Sequence, residues 1–274
     1  MQHQEFYLEY QKHQLFAQYW VPNECKAVVL LVHGMGEHSS RYTSYAIPEL
    51  LAKHIGVITY DNFGHGKSSG KRGHCPSYDA LLQVMDMMLT KTQELANERP
   101  IFLYGHSMGG NLVINYMLKR QPNLAGAIAT SPFLRLAFNP PAWKMTMGKL
   151  MQKIAPSITL PSGLDVSAIS RIREEVEKYK NDPLVHDKVS PNFSFPIIEA
   201  GEWAITHAAT LQKPMLLLHG TDDQIIAYTA TQEFAAQTDQ AELVLFKDGY
   251  HELHNDVEKG KLLTTITAWI HQTI

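Results

Sequence analysis

The sequence predicts an α/β fold in which a mostly parallel sheet carries helices on both faces. Short apolar runs such as Ala27–Val32 and Ile55–Tyr60 are typical of strands that are buried on both sides. Longer stretches with apolar residues at helical spacing, such as the one after Tyr78, separate these runs. Strands that alternate with helices form parallel sheets, whose functional sites lie at the carboxyl ends of the strands.

The first elements in the chain are two aromatic-rich segments, Glu5–Tyr10 and Gln14–Trp20, joined by a short polar link. They predict an antiparallel hairpin at one edge of the sheet. The strand at Ala27 follows, and then a helix within Tyr45–His54 that Pro48 can open. A further helix runs on from Ser77 with apolar residues on one face.

The second half of the chain continues the alternation. A strand at Ile101–Tyr104 leads into a helix, and a strand at Gly126–Thr130 follows. Two later apolar runs predict the last strands, and Leu262–Ile274 closes the chain as an amphipathic helix. These last strands lie at Leu216–Leu218 and Leu243–Phe246. We therefore expect a sheet of eight strands.

About eighty residues between Pro132 and Gln212 interrupt this pattern, which is far longer than an ordinary connection. We expect a mostly helical cap at 133–211, inserted into a core formed by residues 1–132 and 212–274. One cap helix begins at Pro140–Pro141 and stops at Pro156, and a more charged one spans Ser167–Lys180. The apolar stripe of the first helix is predicted to pack mainly on the core beneath it. That stripe consists of Trp143, Met147, Leu150, Met151 and Ile154.

Composition excludes several classes of protein. The 274 residues are 45% hydrophobic and 19% charged, with a formal net charge of −3, which is typical of a folded soluble domain and gives no basic footprint for nucleic acid. The apolar runs are too short to cross a bilayer, and residues 1–5 lack the features of a signal peptide.

The two cysteines, Cys25 and Cys75, fit no metal spacing. Isolated thiols in a reducing cytosol are the simpler interpretation, and a disulfide between them stays open. We expect a cytoplasmic protein.

The stretch after the Ile101 strand contains Gly105-x-Ser107-x-Gly109 and continues as a helix. Strand, Gly-x-Ser-x-Gly and helix in this order predict a nucleophile elbow. The turn is so sharp that side chains beside the serine would collide with neighbouring backbone, and glycine avoids this because it has no Cβ. The Met108 amide then lies at a helix N-terminus, where backbone N–H groups can bind an anion.

A serine hydroxyl needs a base within hydrogen-bond reach, and the base needs an acid that orients it. Two adjacent aspartates, Asp222 and Asp223, follow the strand at 216–218, and His251 follows the strand at 243–246. Both loops leave the same edge of the sheet as Ser107. We assign His251 as the base and Asp223 as the acid; Asp222 is the alternative, or else it stabilises the turn.

A metal site involving His251 and His254 is a rival hypothesis. The spacing His-Glu-Leu-His is one residue short of the metalloprotease motif and follows a strand instead of lying on a long helix. We therefore expect no metal and no organic cofactor.

An oxyanion that forms at the serine needs a second donor besides the Met108 amide. The loop after the first buried strand, His33–Ser39, contains Gly34 and Gly36, which let the backbone turn so that the Met35 amide can face Ser107. A generic glycine-rich turn is the alternative interpretation of this loop.

The segment Asp61–Ser68 ends in Gly-Lys-Ser and resembles a phosphate-binding loop. That loop requires glycine five residues before Gly66, where this chain has Asp61. We expect a structural loop shaped by its glycines, with His65 as a buried hydrogen-bonding residue.

Seven short segments, taken together in order, resemble the monoacylglycerol lipase group of α/β-hydrolases, of the serine aminopeptidase S33 type and sometimes labelled lysophospholipases. They are HGMGEHSSRY at 33–42, YDNFGHGKS at 60–68, GHSMGG at 105–110, SP at 131–132, YKNDPLV at 179–185, GTDD at 220–223 and YHELH at 250–254. The resemblance covers nearly the whole chain and implies Asp223, not Asp222, as the acid. It also implies contacts with the glycerol end of a substrate from Glu37, Arg41, Tyr179 and His254.

The resemblance further implies a serine esterase that cleaves monoacylglycerols through an acyl-enzyme, with an acyl tunnel partly lined by the cap. Lysophospholipids or generic short esters are alternative substrates, and a binding protein without catalysis is a third hypothesis. Contact between the apolar face of the cap and a membrane surface is a further expectation; the oligomeric state stays open. The chain departs from the group at Phe63, where many members carry arginine, and at His186 and Ile226, where some carry cysteine.

Overall fold

The computed structural model describes residues 3–274. Residues 1 and 2, which belong to the predicted core segment 1–132 and to the first residues, where the sequence predicts no signal peptide, lie outside the described residues. The strands are β1 (His3–Tyr10), β2 (His13–Trp20), β3 (Ala27–Val32), β4 (Ile55–Tyr60), β5 (Ile101–His106), β6 (Gly126–Thr130), β7 (Leu160–Pro161), β8 (Lys188–Val189), β9 (Met215–Gly220) and β10 (Ala241–Phe246). The α-helices are α1 (Ala46–Ala52), α2 (Tyr78–Ala96), α3 (Met108–Arg120), α4 (Ala142–Ile154), α5 (Arg173–Asn181), α6 (Pro191–Thr206), α7 (Tyr228–Ala235) and α8 (Lys259–Thr273).

Eight strands form one sheet in the order β1-β2-β4-β3-β5-β6-β9-β10. The pairs β1–β2 and β2–β4 are antiparallel and the other five pairs are parallel. Every residue of β3, β4, β5, β6 and β9 is buried, as their continuous apolar runs predict. The predicted α/β fold with an eight-stranded, mostly parallel sheet and an antiparallel hairpin at its edge is confirmed.

Helices cover both faces of the sheet because alternate strand residues point to opposite sides. Val28, Leu30 and Val32 of β3 face a buried cluster that contains α2, α3 and α6. Val29 and Leu31 face a second cluster that contains α1 and α8. Each face of the central strands is thus removed from water.

The segment between β6 and β9 contains α4, α5 and α6, and the sequence predicts it only in part. The predicted helix Ser167–Lys180 is wrong in its first six residues, since α5 begins at Arg173. Residues 169–171 instead bind the loop after β10: the Ile169 carbonyl accepts from the Glu252 amide at 2.8 Å, and Ser170 Oγ donates to the Asn255 carbonyl at 2.8 Å. These tertiary hydrogen bonds outweigh local helix propensity.

Helix α6 is absent from the sequence prediction because its pattern contains an internal proline, Pro196, which is usually a helix breaker. The helix nevertheless packs Phe193, Ile197 and Ala204 into the cluster on α3. The side-chain amide of Asn111 on α3 also donates to the Ile197 carbonyl at 3.1 Å, which joins the two helices. The short helix α7 also lies outside the sequence prediction.

The apolar stripe of α4 does not pack on the core, and this prediction is wrong. Trp143, Met147 and Leu150 are 67%, 53% and 52% exposed, and none of the residues of α4, all of them within the described chain, is buried. The helix contacts α6 through another face, where Phe195 lies so close to Gly148 that an added Cβ would meet its ring at 2.5 Å. Among residues 3–274, the helices are too short or too polar to span a bilayer.

The junction between β5 and α3 is a sharp turn at Ser107. Ser107 has φ 53° and ψ −115°, a strained conformation for a residue with a side chain. An added Cβ at Gly105 would lie 2.2 Å from the Gly109 carbonyl oxygen, and one at Gly109 would lie 2.0 Å from that of Val32. Both glycines are therefore required for the turn, as the sequence predicts.

We expect Gly109→Ala to destabilise the protein by about 3 kcal/mol, because the new methyl group meets backbone that cannot move without shifting β3. Chemical denaturation monitored by circular dichroism measures this change. Gly260→Ala is the matched control: its nearest contact is the Tyr45 hydroxyl at 3.5 Å, so its stability should stay within about 1 kcal/mol of wild type. Equal stabilities of the two variants would contradict this account of the turn.

Candidate active site

Three side chains from different loops form one hydrogen-bonded chain at the carboxyl edge of the sheet. Ser107 Oγ lies 3.0 Å from Nε2 of His251, which is in the loop after β10. Nδ1 of His251 lies 2.7 Å from Oδ2 of Asp223, which is in the turn after β9. The sequence predicts this convergence because parallel strands end at the same edge.

Asp223 is buried and fully supplied with hydrogen bonds. Its Oδ2 also lies 3.0 Å from Nε2 of His219, and its Oδ1 accepts from the amides of Ile225 and Ile226, both at 2.9 Å. Burial acts to raise the pKa of this carboxyl, but His251 and His219 outweigh it and hold the pKa far below its usual range. Asp223 is therefore an ionised acceptor that fixes the imidazole of His251.

The neighbouring Asp222 points elsewhere. It is exposed, and its backbone amide donates to the Gly249 carbonyl at 3.0 Å. His219 is a contact that the sequence analysis misses; its Nδ1 lies 2.8 Å from the Thr231 hydroxyl, which orients the ring toward Asp223. The only sequence signal for it is a histidine at the end of a buried strand.

The charge of Asp223 also sets the titration of His251. Burial alone lowers the pKa of this imidazole, but the Asp223 carboxylate and its hydrogen bond, with smaller contributions from Glu252 and Glu37, raise it above 6.5. Two further histidines near the site, His106 and His254, behave differently: burial lowers the pKa of each to about 3, so both are neutral.

The two predicted oxyanion donors are both close to Ser107. Met108 is the first residue of α3, where the helix leaves backbone N–H groups without an internal acceptor. Met35 lies in the loop after β3 and lines the same cavity as Ser107. This loop passes directly over the serine, since an added Cβ at Gly34 would lie 3.2 Å from that of Ser107. The positions are compatible with the predicted role.

A cavity of about 1030 Å³ opens above Ser107 and His251. This volume is at the upper end for small-molecule sites. Its walls are largely apolar, and they include Phe133, Leu136, Phe138, Ile169, Val185, Ile198 and Ile225. The exposed stripe of α4 does not belong to the described residues that line it, so the expectation that some of those side chains line a tunnel is also wrong; from α4 only Lys144 reaches the wall.

The four residues predicted to bind the glycerol end of a substrate are divided between two layers. Glu37 and Tyr179 line the cavity, whereas Arg41 and His254 are absent from the described residues of its wall. His254 is 1% exposed, and its ring stacks on Tyr42 with centroids 4.7 Å apart. Neither of its ring nitrogens has a hydrogen-bond partner within residues 3–274.

Two of the three departures from the family pattern lie in the cavity wall, and the third lies elsewhere. His186 and Ile226 line the cavity and therefore alter its shape. Phe63 is fully buried against Tyr10 and His13, away from the cavity wall that the structure describes. The change at position 63 thus concerns packing of the β1–β2 hairpin, not the site.

The phosphate-loop-like segment is a structural loop. The Asp61 carboxylate accepts from the amides of Ser39 and Lys67, both at 2.8 Å, and occupies the space beside Gly66, where an added Cβ would meet it at 2.0 Å. His65 Nδ1 lies 2.8 Å from the Phe63 carbonyl. Within residues 3–274, no three His, Cys, Asp or Glu side chains converge as metal ligands, and both cysteines are buried free thiols.

A mostly parallel eight-stranded sheet with a serine on a strained strand–helix turn, and with Asp223 and His251 in the following loops, defines an α/β-hydrolase. Within this class, the chain belongs to the serine aminopeptidase S33 family, whose model matches residues 23–258.

Individual relatives extend this comparison. The chain is 35% identical over 260 residues to an uncharacterised abhydrolase domain-containing protein of Dictyostelium discoideum; this match covers 93% of the chain but only 27% of that longer protein. It is 31% identical over 272 residues to the monoglyceride lipase of Rattus norvegicus, with 95% of the chain and 88% of the relative covered. The solved structure of Paleococcus ferrophilus monoacylglycerol lipase superimposes with a TM-score of 0.87 at 33% identity, covering 95% of this chain and 99% of that one.

We expect nitrogen NMR of the imidazoles to show His251 titrating above pH 6.5, with His106 and His254 neutral throughout, because Asp223 acts on His251 while burial dominates at the other two. Asp223→Asn removes the charge and should lower the pKa of His251. Asp222→Asn is the control and should leave it unchanged, because that carboxylate is exposed. An unchanged His251 pKa in Asp223→Asn would contradict the electrostatic argument.

Proposed function

We propose that this chain is a serine ester hydrolase that cleaves monoacylglycerols to fatty acid and glycerol through an acyl-enzyme intermediate. The observation that carries the proposal is the position of His251 between Ser107 and Asp223 at the foot of a largely apolar cavity. The names of the rat and Paleococcus relatives support the substrate class.

In the proposed reaction, Ser107 Oγ attacks the ester carbonyl while His251 Nε2 takes its proton. The Asp223 carboxylate stabilises the resulting imidazolium, and the amides of Met35 and Met108 bind the oxyanion. His251 then gives the proton to the departing glycerol oxygen, leaving the acyl group on Ser107. A water molecule deprotonated by His251 hydrolyses this ester and releases the fatty acid. Because the base must be neutral, activity rises as the pH increases through the pKa of His251.

The charges around the cavity favour an uncharged ester over a lysophospholipid. Three lysines on its wall are balanced by three aspartates and by two glutamates beside the serine and histidine. The lysines are Lys144, Lys180 and Lys188, and the acids are Asp165, Asp182, Asp187, Glu37 and Glu252. A phosphate-bearing headgroup would meet no excess of positive charge. The carboxylate of Glu37 and the hydroxyl of Tyr179 instead offer polar contacts for neutral hydroxyl groups.

We expect Ser107→Ala to abolish both ester hydrolysis and labelling by a fluorophosphonate, because the variant has no nucleophilic oxygen at the elbow. Ser157→Ala, at an exposed position in the cap, is the matched control and should retain both. Labelling that persists in Ser107→Ala would show that another residue is the nucleophile.

The substrate class is tested by measuring ester hydrolysis by the purified wild-type protein on different substrates. Release of glycerol from monoacylglycerols should exceed release of glycerophosphocholine from lysophosphatidylcholine at every acyl length, since both reactions break the same kind of acyl ester bond. The reverse preference would favour the lysophospholipase alternative. Turnover of short generic esters without turnover of either lipid would favour a carboxylesterase.

We further propose that residues 133–211 form a cap and that α4 contacts a lipid surface, from which a water-insoluble substrate enters. The exposed apolar residues of α4 recur every three or four positions and share one face; they are Trp143, Met147, Leu150 and Ile154. Lys144, Lys149 and Lys153 on the same helix add positive charge. A helix with this composition is typical of an interfacial helix that lies on anionic lipid.

Replacement of Trp143, Met147 and Leu150 together by serine should reduce sedimentation with phosphatidylglycerol-containing vesicles at least about tenfold, because most of the inserting apolar area is lost. Hydrolysis of a dispersed short-chain ester should be retained. Tyr7→Ser removes an exposed aromatic side chain on the edge strand and serves as the control. Wild-type protein that does not associate with such vesicles would contradict the proposal.

A further inference from the structure

Two acidic residues from distant parts of the chain share one arginine beneath the cavity wall. Arg41 Nη1 donates to Glu37 Oε2 at 2.7 Å and to Glu252 Oε1 at 2.6 Å, and Arg41 Nη2 donates to Glu252 Oε2 at 2.7 Å. The side chains of Glu37, Arg41 and Glu252 are 2%, 7% and 4% exposed. This group, here called the buried ion triad, is thus shielded from water and salt.

One end of the buried ion triad holds the loop that carries Met35. Glu37 Oε1 accepts from the Gly34 amide at 2.6 Å and from the Tyr42 hydroxyl at 2.8 Å. Gly34 is the residue that passes over Ser107, and Met35 directly follows it. The position of this loop over the serine therefore depends on the Glu37 carboxylate.

The other end holds the loop that carries His251. Glu252 follows His251 directly, and its Oε2 also accepts from Asn255 Nδ2 at 2.8 Å. Its backbone amide donates to Ile169, while the His251 carbonyl accepts from Ser131 Oγ at 2.8 Å. The side chain of Glu252 is the part of this loop that reaches across to the Met35 loop.

The guanidinium of Arg41 is poorly placed to bind a substrate. Two of its nitrogens are occupied by carboxylates, and the ring of Tyr179 covers it with its centroid 4.6 Å from Cζ. The residue is also absent from the described wall of the cavity above Ser107. A bidentate ion pair of this kind fixes geometry as well as contributing energy.

We propose that Glu252 and Arg41 are positioning residues that lock the base loop to the loop carrying the Met35 oxyanion donor, so that proton transfer and oxyanion binding keep one relative geometry. This inference rests on the proposed function. It assigns Arg41 to the support of the site and not to the substrate, and it adds Glu252, whose role the sequence analysis does not foresee.

The charge of Glu252 also acts on the pKa of His251. Two carboxylates oppose one guanidinium, leaving a net negative charge beside the imidazole. Several other ionisable groups lie around the buried ion triad. They are Asp223 across His251, the neutral rings of His106 and His254, the hydroxyls of Tyr42 and Tyr179, and the pair His38–Asp182, whose Nε2 and Oδ2 atoms are 2.9 Å apart. Burial acts to raise the pKa of Glu252, but Arg41 overcomes it and holds that pKa well below 4.5.

The first experiment compares Glu252→Gln with Glu252→Asp. Glutamine keeps the shape but removes the charge, so kcat should fall roughly tenfold to a hundredfold with KM within about twofold, and the acid limb of the pH–rate profile should move to lower pH. Aspartate keeps the charge but is one methylene too short to pair with Arg41; kcat should fall while the acid limb stays near its wild-type position. Wild-type kcat in both variants would overturn the proposal. It would also be overturned if less of each variant folds but every active site counted by fluorophosphonate titration turns over at the wild-type rate.

Glu202→Gln is the matched control for this pair. Glu202 also forms a bidentate ion pair with an arginine, Arg135, which is shared with a second carboxylate, Glu233, but these side chains are 40% to 49% exposed. The same substitution there should leave kcat, KM and the acid limb unchanged.

The second experiment asks whether Arg41 contacts the alcohol part of the substrate. Arg41→Lys keeps the charge but cannot bridge both carboxylates, so kcat should fall by the same factor on a monoacylglycerol and on the methyl ester of the same fatty acid. Its effect should also be non-additive with that of Glu252→Gln. A loss confined to the glycerol ester and expressed in KM would overturn the proposal and make Arg41 a substrate ligand.

Failure of the proposed function is recognised separately. If the wild-type protein hydrolyses neither ester, the proposed function fails, and the inference is judged by NMR alone: Glu252→Gln should lower the pKa of His251, whereas Glu202→Gln should not. An unchanged His251 pKa in Glu252→Gln would then overturn the inference.

Discussion

The geometry of the site depends on one buried carboxylate. The side chain of Asp223 is completely removed from solvent, and an ionised group in that position is stable only if its lone pairs accept hydrogen bonds. Two imidazoles and two backbone amides supply these bonds. The two amides belong to the turn that directly follows β9, so they fix the carboxylate relative to the sheet. The carboxylate then fixes the orientation of the His251 ring.

The second constraint is the strained turn at Ser107. Glycines on both sides let β5 turn into α3 at an angle that no other residue pair would allow there. Strain of this kind persists only when the surroundings over-determine it. Here the buried strands on either side of β5 and the close approach of the loop after β3 supply that restraint. The serine is therefore presented by a turn that buried, paired strands restrain, while its partners come from loops at the same edge.

Sequence patterns predict those features that follow from local rules. Continuous apolar runs identify the buried strands, the spacing of glycines around Ser107 identifies the turn, and the order of Asp223 and His251 after successive strands identifies their convergence. The features that escape prediction depend on contacts between distant segments. The start of α5 is displaced by hydrogen bonds to the loop after β10, and α6 continues past Pro196 while its apolar residues pack in the cluster with α3.

The same limit applies to the site. An amphipathic pattern shows that α4 has an apolar face but not what covers it, so the sequence cannot distinguish a core contact from an exposed one. Likewise, a polar residue in a family motif can touch a ligand or stand behind the residue that does. Glu37 and Tyr179 reach the cavity, while Arg41 is turned away by Glu252, a partner more than two hundred positions along the chain.

The hydrogen bonds of residues 169–171 tie one part of the segment between β6 and β9 to the loop that carries His251. Ser170 and Arg171 are bound to Asn255 and Asp256, and Asp256 Oδ2 also accepts from the Tyr250 amide next to His251 at 3.0 Å. A swing of this stretch would drag the proton-accepting ring out of alignment. Helix α4, in contrast, packs on α6, and among the described residues none of its side chains bonds to the loop that carries His251. A shift of α4 alone would therefore leave the alignment of Ser107, His251 and Asp223 intact.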